Sequence, residues 1–169
     1  MVNEPVKPVI NIDDVPLRDG GNGTDFKAKV GSFGAAIGSD GIGCMLHVVE
    51  PGEKAFPFHV HHQKHELFII LEGEGTYRFG EERYPIRAGD VCAAPTGGPD
   101  KAHQIINTGT APLKYLGLST AAETEVVEYP DSGKFGMISR FDWSNPDAGG
   151  IRHIGRKGEH CLDYYDGES

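Results

Sequence analysis

Short stretches of apolar or alternating residues recur along the chain, and Gly, Pro and Asp turn positions separate them. No stretch shows the sustained helical period of an amphipathic helix. Ten segments fit β-strands: 43–50, 56–62, 67–71, 75–79, 83–86, 91–95, 103–107, 113–120, 125–129 and 135–138. Many short strands at such regular spacing predict an all-β protein built as a sandwich or barrel.

The pattern divides the chain into three segments. Residues 1–42 form an N-terminal arm with the first strands, residues 43–120 the barrel core, and residues 121–169 the C-terminal strands and an extension. Within the arm, Val9–Ile12 fits a short strand. Residues 140–169 are charged and Gly-rich, with isolated apolar residues such as Trp143. They either wrap the barrel or a partner subunit, or form a disordered tail.

Composition narrows the function classes. The 24 glycines and 11 prolines follow no repeat, so they mark turns. A net charge of −9 with dispersed Lys and Arg disfavours nucleic acid binding. No apolar run approaches the roughly 20 residues that cross a membrane, and the first residues lack the apolar core of a secretory signal. Three widely spaced cysteines suit a reducing compartment, so we expect a cytoplasmic protein.

Four residues that commonly ligate transition metals lie on or beside these strands. His59 and His61 are two positions apart on an extended chain, so their side chains point to one face. Glu66 can return beside them after a short bend, and His103 can close the set from a neighbouring strand. The polar residues around these four also fit an exposed turn. The regularly placed glycines on both sides of the run favour a metal site instead. Three imidazoles and one carboxylate predict a divalent transition metal.

Two stretches resemble the paired motifs of the cupin superfamily: GEKAFPFHVHHQKHELFIILEG (52–73) and GDVCAAPTGGPDKAHQIIN (89–107). The resemblance implies a cupin-type jelly roll, a double-stranded β-helix barrel, with one metal held by His59, His61, Glu66 and His103. The wider chain is similar to small single-domain bacterial cupins of largely unassigned activity, which implies a fold and a metal but no substrate.

One departure from the cupin motif concerns the segment before His103. Five residues rather than two separate Gly97 from His103. The added segment, which includes Lys101, either shapes substrate entry at the barrel mouth or displaces His103 from the metal. We favour the first, because His103, Ile105 and Asn107 still alternate onto one strand face.

Three functional hypotheses follow. The first is a metal-dependent enzyme acting on a small polar organic molecule, either an oxygenase with Fe or an isomerase or lyase with Zn, Mn or Ni. The second is a non-catalytic small-molecule binding protein, carbohydrate-like or a sensor. The third gives the metal a structural role. In each case we expect a homodimer, the common form of a soluble oligomer.

His47 and Tyr77 are the candidate catalytic residues. His47 is in phase with Met45 and Val49, and it becomes an acid/base candidate if that face looks into the barrel; the commoner role for such a residue is a hydrogen-bonded core histidine. Tyr77 could line a pocket with its polar tip or simply pack. An acid/base group near the metal would favour the enzyme, whereas apolar walls without a titratable group would favour the binding protein.

Overall fold

The computed structural model describes residues 6–142, 145, 147–158 and 161–168, and within them it has strands and short 3-10 turns but no α-helix. The strands are β1 (Arg18–Gly21), β2 (Lys27–Ser32), β3 (Ile42–Val49), β4 (Val60–His61), β5 (Glu66–Glu72), β6 (Glu74–Phe79), β7 (Glu82–Arg87), β8 (Val91–Ala94), β9 (His103–Ile106), β10 (Leu113–Thr120), β11 (Thr124–Tyr129), β12 (Lys134–Ser139) and β13 (Ile151–Arg156). The 3-10 turns are Ile12–Asp14, Ala35–Ile37, Pro99–Lys101 and Pro130–Ser132. The all-β prediction is confirmed.

The strands form antiparallel sheets that pack as two layers. One sheet has the order β1-β2-β3-β10-β5-β8. Two further sheets have the strand orders β7-β6-β9 and β13-β12-β11-β4. His59, just before β4, exchanges two backbone hydrogen bonds with His103 on β9, at 3.1 and 2.8 Å. These bonds join the two smaller sheets at the point where the metal-ligand candidates lie.

The main core fills the space between the layers. It includes Val49, Ile70, Leu113 and Tyr115, each 2% exposed or less. Burying such side chains gives roughly 1.5–3 kcal/mol each. A second cluster lies on the outer face of the six-stranded sheet, where the N-terminal arm contributes Val15. The arm therefore covers apolar surface that β3 and β10 would otherwise expose.

Asn107 ties the end of β9 to its neighbours. Its side chain is completely buried, and Nδ2 donates to the carbonyl oxygens of Val49 at 2.7 Å and Ala111 at 2.9 Å. Its Oδ1 accepts from the backbone N–H of Gly109 at 3.0 Å. A buried amide with its hydrogen bonds satisfied stabilises the turn into β10.

The termini differ from the expected pattern. Val9–Ile12 is not a strand, because its last residue begins a 3-10 turn capped by the Asn11 side chain. β1 was not predicted, and neither was β13, which pairs with β12 although Ile151 and Ile154 are about half exposed. Trp143 lies outside the described residues. No helix among the described residues is long and apolar enough to cross a membrane.

Candidate metal centre and its cavity

The four ligand candidates meet at one point of the barrel. His59 and His61 come from the short extended segment at β4, Glu66 begins β5, and His103 begins β9. Ligand atoms of His59, His61 and Glu66 all lie within 4.8 Å of one another, so these three residues could hold a metal ion. His103 is 2% exposed and lies against this group. The spacing rule that placed His59 and His61 on one face agrees with this arrangement.

All three histidines turn Nε2 toward the same carboxylate oxygen. Glu66 Oε2 lies 3.0 Å from His103, 3.4 Å from His61 and 3.8 Å from His59. The ring centroids of His59 and His103 are 4.5 Å apart, and those of His59 and His61 are 5.1 Å apart. Glu66 Oε2 thus faces the Nε2 atoms of three histidines, all of them potential metal ligands, in a small and largely enclosed volume.

The tautomer of His59 makes this cluster suitable for a cation. Its Nδ1 lies 2.8 Å from the carbonyl oxygen of Pro57, and a carbonyl can only accept, so Nδ1 carries the proton. The unprotonated Nε2 then directs its lone pair toward the lone pairs of Glu66. That arrangement is unfavourable unless a positive charge lies between them. The residues present therefore fit a divalent transition metal bound by imidazole and carboxylate.

The electrostatics of the cluster agree with this chemistry. Burial, reinforced by the neighbouring His103, lowers the pKa of His59 from 6.5 to about 4. Burial opposes ionisation of Glu66, but the adjacent imidazoles of His103, His61 and His59 outweigh it and lower the pKa of the carboxyl well below its usual range. Neutral imidazole and ionised carboxylate are the forms that bind metal.

A cavity of about 690 Å³ opens beside the cluster, and His59, His61 and Glu66 form part of its wall. The remaining wall is largely apolar and includes Met45, Phe56, Phe68, Val127 and Tyr129. The rings of Phe56 and Tyr129 lie 6.5 and 6.3 Å from that of His59. Lys64 also lines the cavity. The volume suits a small ligand in contact with the cluster.

His47 lies in the wall of this cavity. It is 3% exposed and stacks on Tyr115, with ring centroids 4.5 Å apart. Burial lowers its pKa from 6.5 to about 4. Gly117 leaves the room for it, because a Cβ at that position would lie 3.0 Å from His47 Cε1 and within 3.4 Å of Phe68. His47 is therefore a neutral imidazole at neutral pH, near the ligand candidates.

Tyr77 and Lys101 are not part of the cavity wall, although the ring of Tyr77 lies 6.3 Å from that of His103. Tyr77 is 6% exposed, its hydroxyl donates to the carbonyl oxygen of Ala93 at 2.9 Å, and burial raises its pKa. It belongs to the main core and is absent from the cavity wall. Lys101 pairs with Asp100 at 3.1 Å and also lies outside that wall. The added segment before His103 thus does not shape this cavity, and it leaves His103 within reach of Glu66.

Glu125 was not predicted from the sequence; it is 1% exposed and its Oε2 lies 3.5 Å from His61 Nδ1. A charged residue at the start of a strand resembles an ordinary exposed position. One signal was available, since Glu125, Val127 and Tyr129 alternate on β11, and the last two line the cavity.

Comparison with known proteins finds a cupin domain in the chain. The family model of the cupin domain matches residues 45–119. That span holds His59, His61, Glu66 and His103. Proteins of this family typically bind a metal at such a group.

The proteins similar to this chain differ from one another in their named functions. An oxalate-binding protein of Thermotoga maritima is 36% identical over 66 residues, which cover 39% of this chain and only about half (52%) of that protein. An uncharacterised protein of Methanocaldococcus jannaschii is 29% identical over 127 residues, covering 73% of this chain and 90% of the other.

A crystal structure of a sugar phosphate isomerase from Silicibacter pomeroyi superposes with a TM-score of 0.74 at 24% identity. The superposition covers 93% of this chain and 98% of the isomerase chain. At that identity the likeness concerns the fold alone. The all-β architecture, the cupin domain match over residues 45–119 and this structural similarity together show a cupin-type fold.

Proposed function

We propose that the chain is a metal-dependent enzyme acting on a small polar organic molecule, of the oxygenase or of the isomerase or lyase type. One divalent transition metal, Fe, Mn, Ni or Zn, would be held by His59, His61, Glu66 and His103. A bound ion would supply Lewis acidity toward a substrate oxygen, or activate water or dioxygen. The cytoplasmic location and the homodimer expected from the sequence stay predictions.

The observation that carries this proposal is the presence of His47 in the same cavity as three of the ligand candidates. A buried imidazole with its pKa lowered to about 4 is neutral at neutral pH, so one ring nitrogen keeps a lone pair that can accept a hydrogen bond from a bound molecule. A metal with a purely structural role would not require an adjoining cavity with a titratable group.

Two observations indicate which chemical classes of substrate should be tested first. Lys64 lies in the cavity wall together with the carboxyl groups of Asp40 and Glu66, so a preference for an anionic group would come from the charge of a bound divalent metal. The names of the similar proteins point to oxalate in one case and to a sugar phosphate in the other. Small carboxylates and sugar phosphates are therefore the first two classes to test.

The experiment uses protein loaded separately with Fe²⁺, Mn²⁺, Ni²⁺ and Zn²⁺, beside a His47→Gln variant. Carboxylates are followed by oxygen consumption and product analysis, and sugar phosphates by NMR for isomerisation. We expect turnover of one class by the wild type and a loss of about 10²–10⁴-fold in His47→Gln at equal metal content. Turnover that is unchanged in His47→Gln would contradict the assigned role of His47.

A second candidate function is a non-catalytic small-molecule binding or sensor protein. It is favoured by Phe56 and Tyr129, whose rings flank His59 and could pack against the apolar face of a carbohydrate-like ligand. Saturable binding without turnover, measured by calorimetry across both substrate classes, would favour this function over the enzyme.

A further inference from the structure

Glu125, at the second position of β11, is a carboxylate enclosed by protein. Its side chain is 1% exposed, and an ionised group at such a position is costly unless hydrogen bonds compensate it. The backbone supplies these bonds. Oε1 accepts from the N–H groups of His62 at 3.0 Å and Gln63 at 3.1 Å, and Oε2 accepts from Lys64 at 2.8 Å.

The three donors belong to the loop that connects two of the ligand candidates. The loop consists of residues 62–65, so His61 immediately precedes it and Glu66 immediately follows it. Charge-assisted hydrogen bonds to backbone N–H groups are short and stronger than neutral ones. Glu125 therefore fixes the path of the loop and, with it, the separation of His61 from Glu66.

The same carboxylate also approaches the imidazole of His61. The ring lies between two carboxylates, with Nε2 3.4 Å from Glu66 Oε2 and Nδ1 3.5 Å from Glu125 Oε2. Nδ1 is buried and makes no hydrogen bond with any described residue. A movement of a few tenths of an ångström would bring Nδ1 and Oε2 to normal hydrogen-bond distance.

We propose that Glu125 is a positioning residue for the metal centre. It accepts the Nδ1 proton of His61, so that Nε2 is the unprotonated nitrogen directed at the metal, and it holds the loop that presents His61 and Glu66. Carboxylates that orient ligating histidines in this way raise metal affinity without touching the metal. This inference rests on the proposed metal binding at His59, His61, Glu66 and His103.

The main test compares Glu125→Gln with Glu128→Gln. Gln has nearly the shape of Glu, but its amide places N–H donors either against the N–H groups of His62 and Gln63, or against the Lys64 N–H and the His61 Nδ1–H. Glu128 is a matched control on the same strand, since it contacts His62 Nε2 at 2.8 Å and the Lys157 ammonium but no ligand candidate. Metal-free proteins are titrated with Co²⁺ in competition with a chelator, followed by visible absorption, and circular dichroism checks that each variant is folded.

We expect Co²⁺ to bind Glu125→Gln about 10–100-fold more weakly than the wild type, and Glu128→Gln within about threefold of it. A folded Glu125→Gln with affinity within threefold of the wild type would overturn the proposal. Absence of Co²⁺ binding by the wild type itself would instead overturn the metal site on which the proposal depends.

A second measurement uses only the wild-type protein, so it does not depend on the folding of a variant. In Zn²⁺-loaded wild-type protein with ¹⁵N-labelled histidine, NMR identifies which ring nitrogen of His61 carries a proton. We expect a proton on Nδ1 that exchanges slowly with solvent. Coordination of the metal through Nδ1 of His61, or an Nδ1 without a proton, would overturn the role assigned to Glu125.

Discussion

The lowered pKa of His47 makes a quantitative prediction about folding stability. The imidazole is 3% exposed, and burial lowers its pKa from 6.5 to about 4. Between these values the unfolded chain binds a proton at this position and the folded chain does not. Stability is therefore fully present above pH 6.5 and is lost as the pH falls toward 4.

The size of the effect follows from the difference between the two pKa values. The full difference corresponds to about 3 kcal/mol of folding free energy. At pH 5 the folded group is mostly neutral and the unfolded group is almost fully protonated, so linkage gives a loss of about 2 kcal/mol relative to pH 7.5. A His47→Gln variant removes this contribution, and any constant cost of the substitution cancels between the two pH values.

The assay is urea unfolding of chelator-treated, metal-free protein at pH 7.5 and pH 5, followed by far-ultraviolet circular dichroism. We expect the loss of unfolding free energy between these pH values to be about 2 kcal/mol smaller in His47→Gln than in the wild type. His65→Gln is the matched control, because His65 is exposed, and it should show the loss seen in the wild type. Equal losses in the wild type and His47→Gln would refute the assignment of His47 as a buried, neutral group.

Two further predictions concern residues of the motif stretches. Asn107→Ala should lower the free energy of unfolding by about 2–4 kcal/mol in urea, because it removes the hydrogen bonds of a buried amide to Val49, Ala111 and Gly109; a change below 1 kcal/mol would contradict this. Gly73→Ala should destabilise more than Gly52→Ala by at least about 1 kcal/mol. Both glycines have φ near +80°, but only at Gly73 would a Cβ lie 2.5 Å from the Pro112 carbonyl oxygen, whereas nothing lies within 4 Å at Gly52. Equal urea midpoints for the two variants would contradict this reading of the turn.

The parts of the fold that were predictable have a local cause. His59 and His61 could be placed on one face because strand side chains alternate, whatever the partner strand. The strands of the barrel core were found because the burial of their apolar side chains leaves a period in the sequence. β1 has the sequence RDGG and pairs with β2 through its backbone, so no pattern of apolar side chains predicts this strand.

The parts that were not predictable depend on distant pairing. His47 and Tyr77 both lie on strands, but only the register of β3 against β10 brings His47 beside Tyr115 and leaves it at the cavity. Likewise, 63 residues separate Glu125 from His62, whose N–H it accepts. Such contacts are fixed by the packing of the whole barrel, not by the sequence near either residue.

The most direct test of the central claim is the metal content of the purified protein. Elemental analysis follows growth with Fe, Mn, Ni and Zn available, for the wild type and for His103→Ala, with His65→Ala as a control outside the cluster. We expect close to one ion per chain in the wild type and in His65→Ala, and a clear loss in His103→Ala. No metal in the wild type under any condition, or an equal content in folded His103→Ala, would contradict a metal centre built from His59, His61, Glu66 and His103.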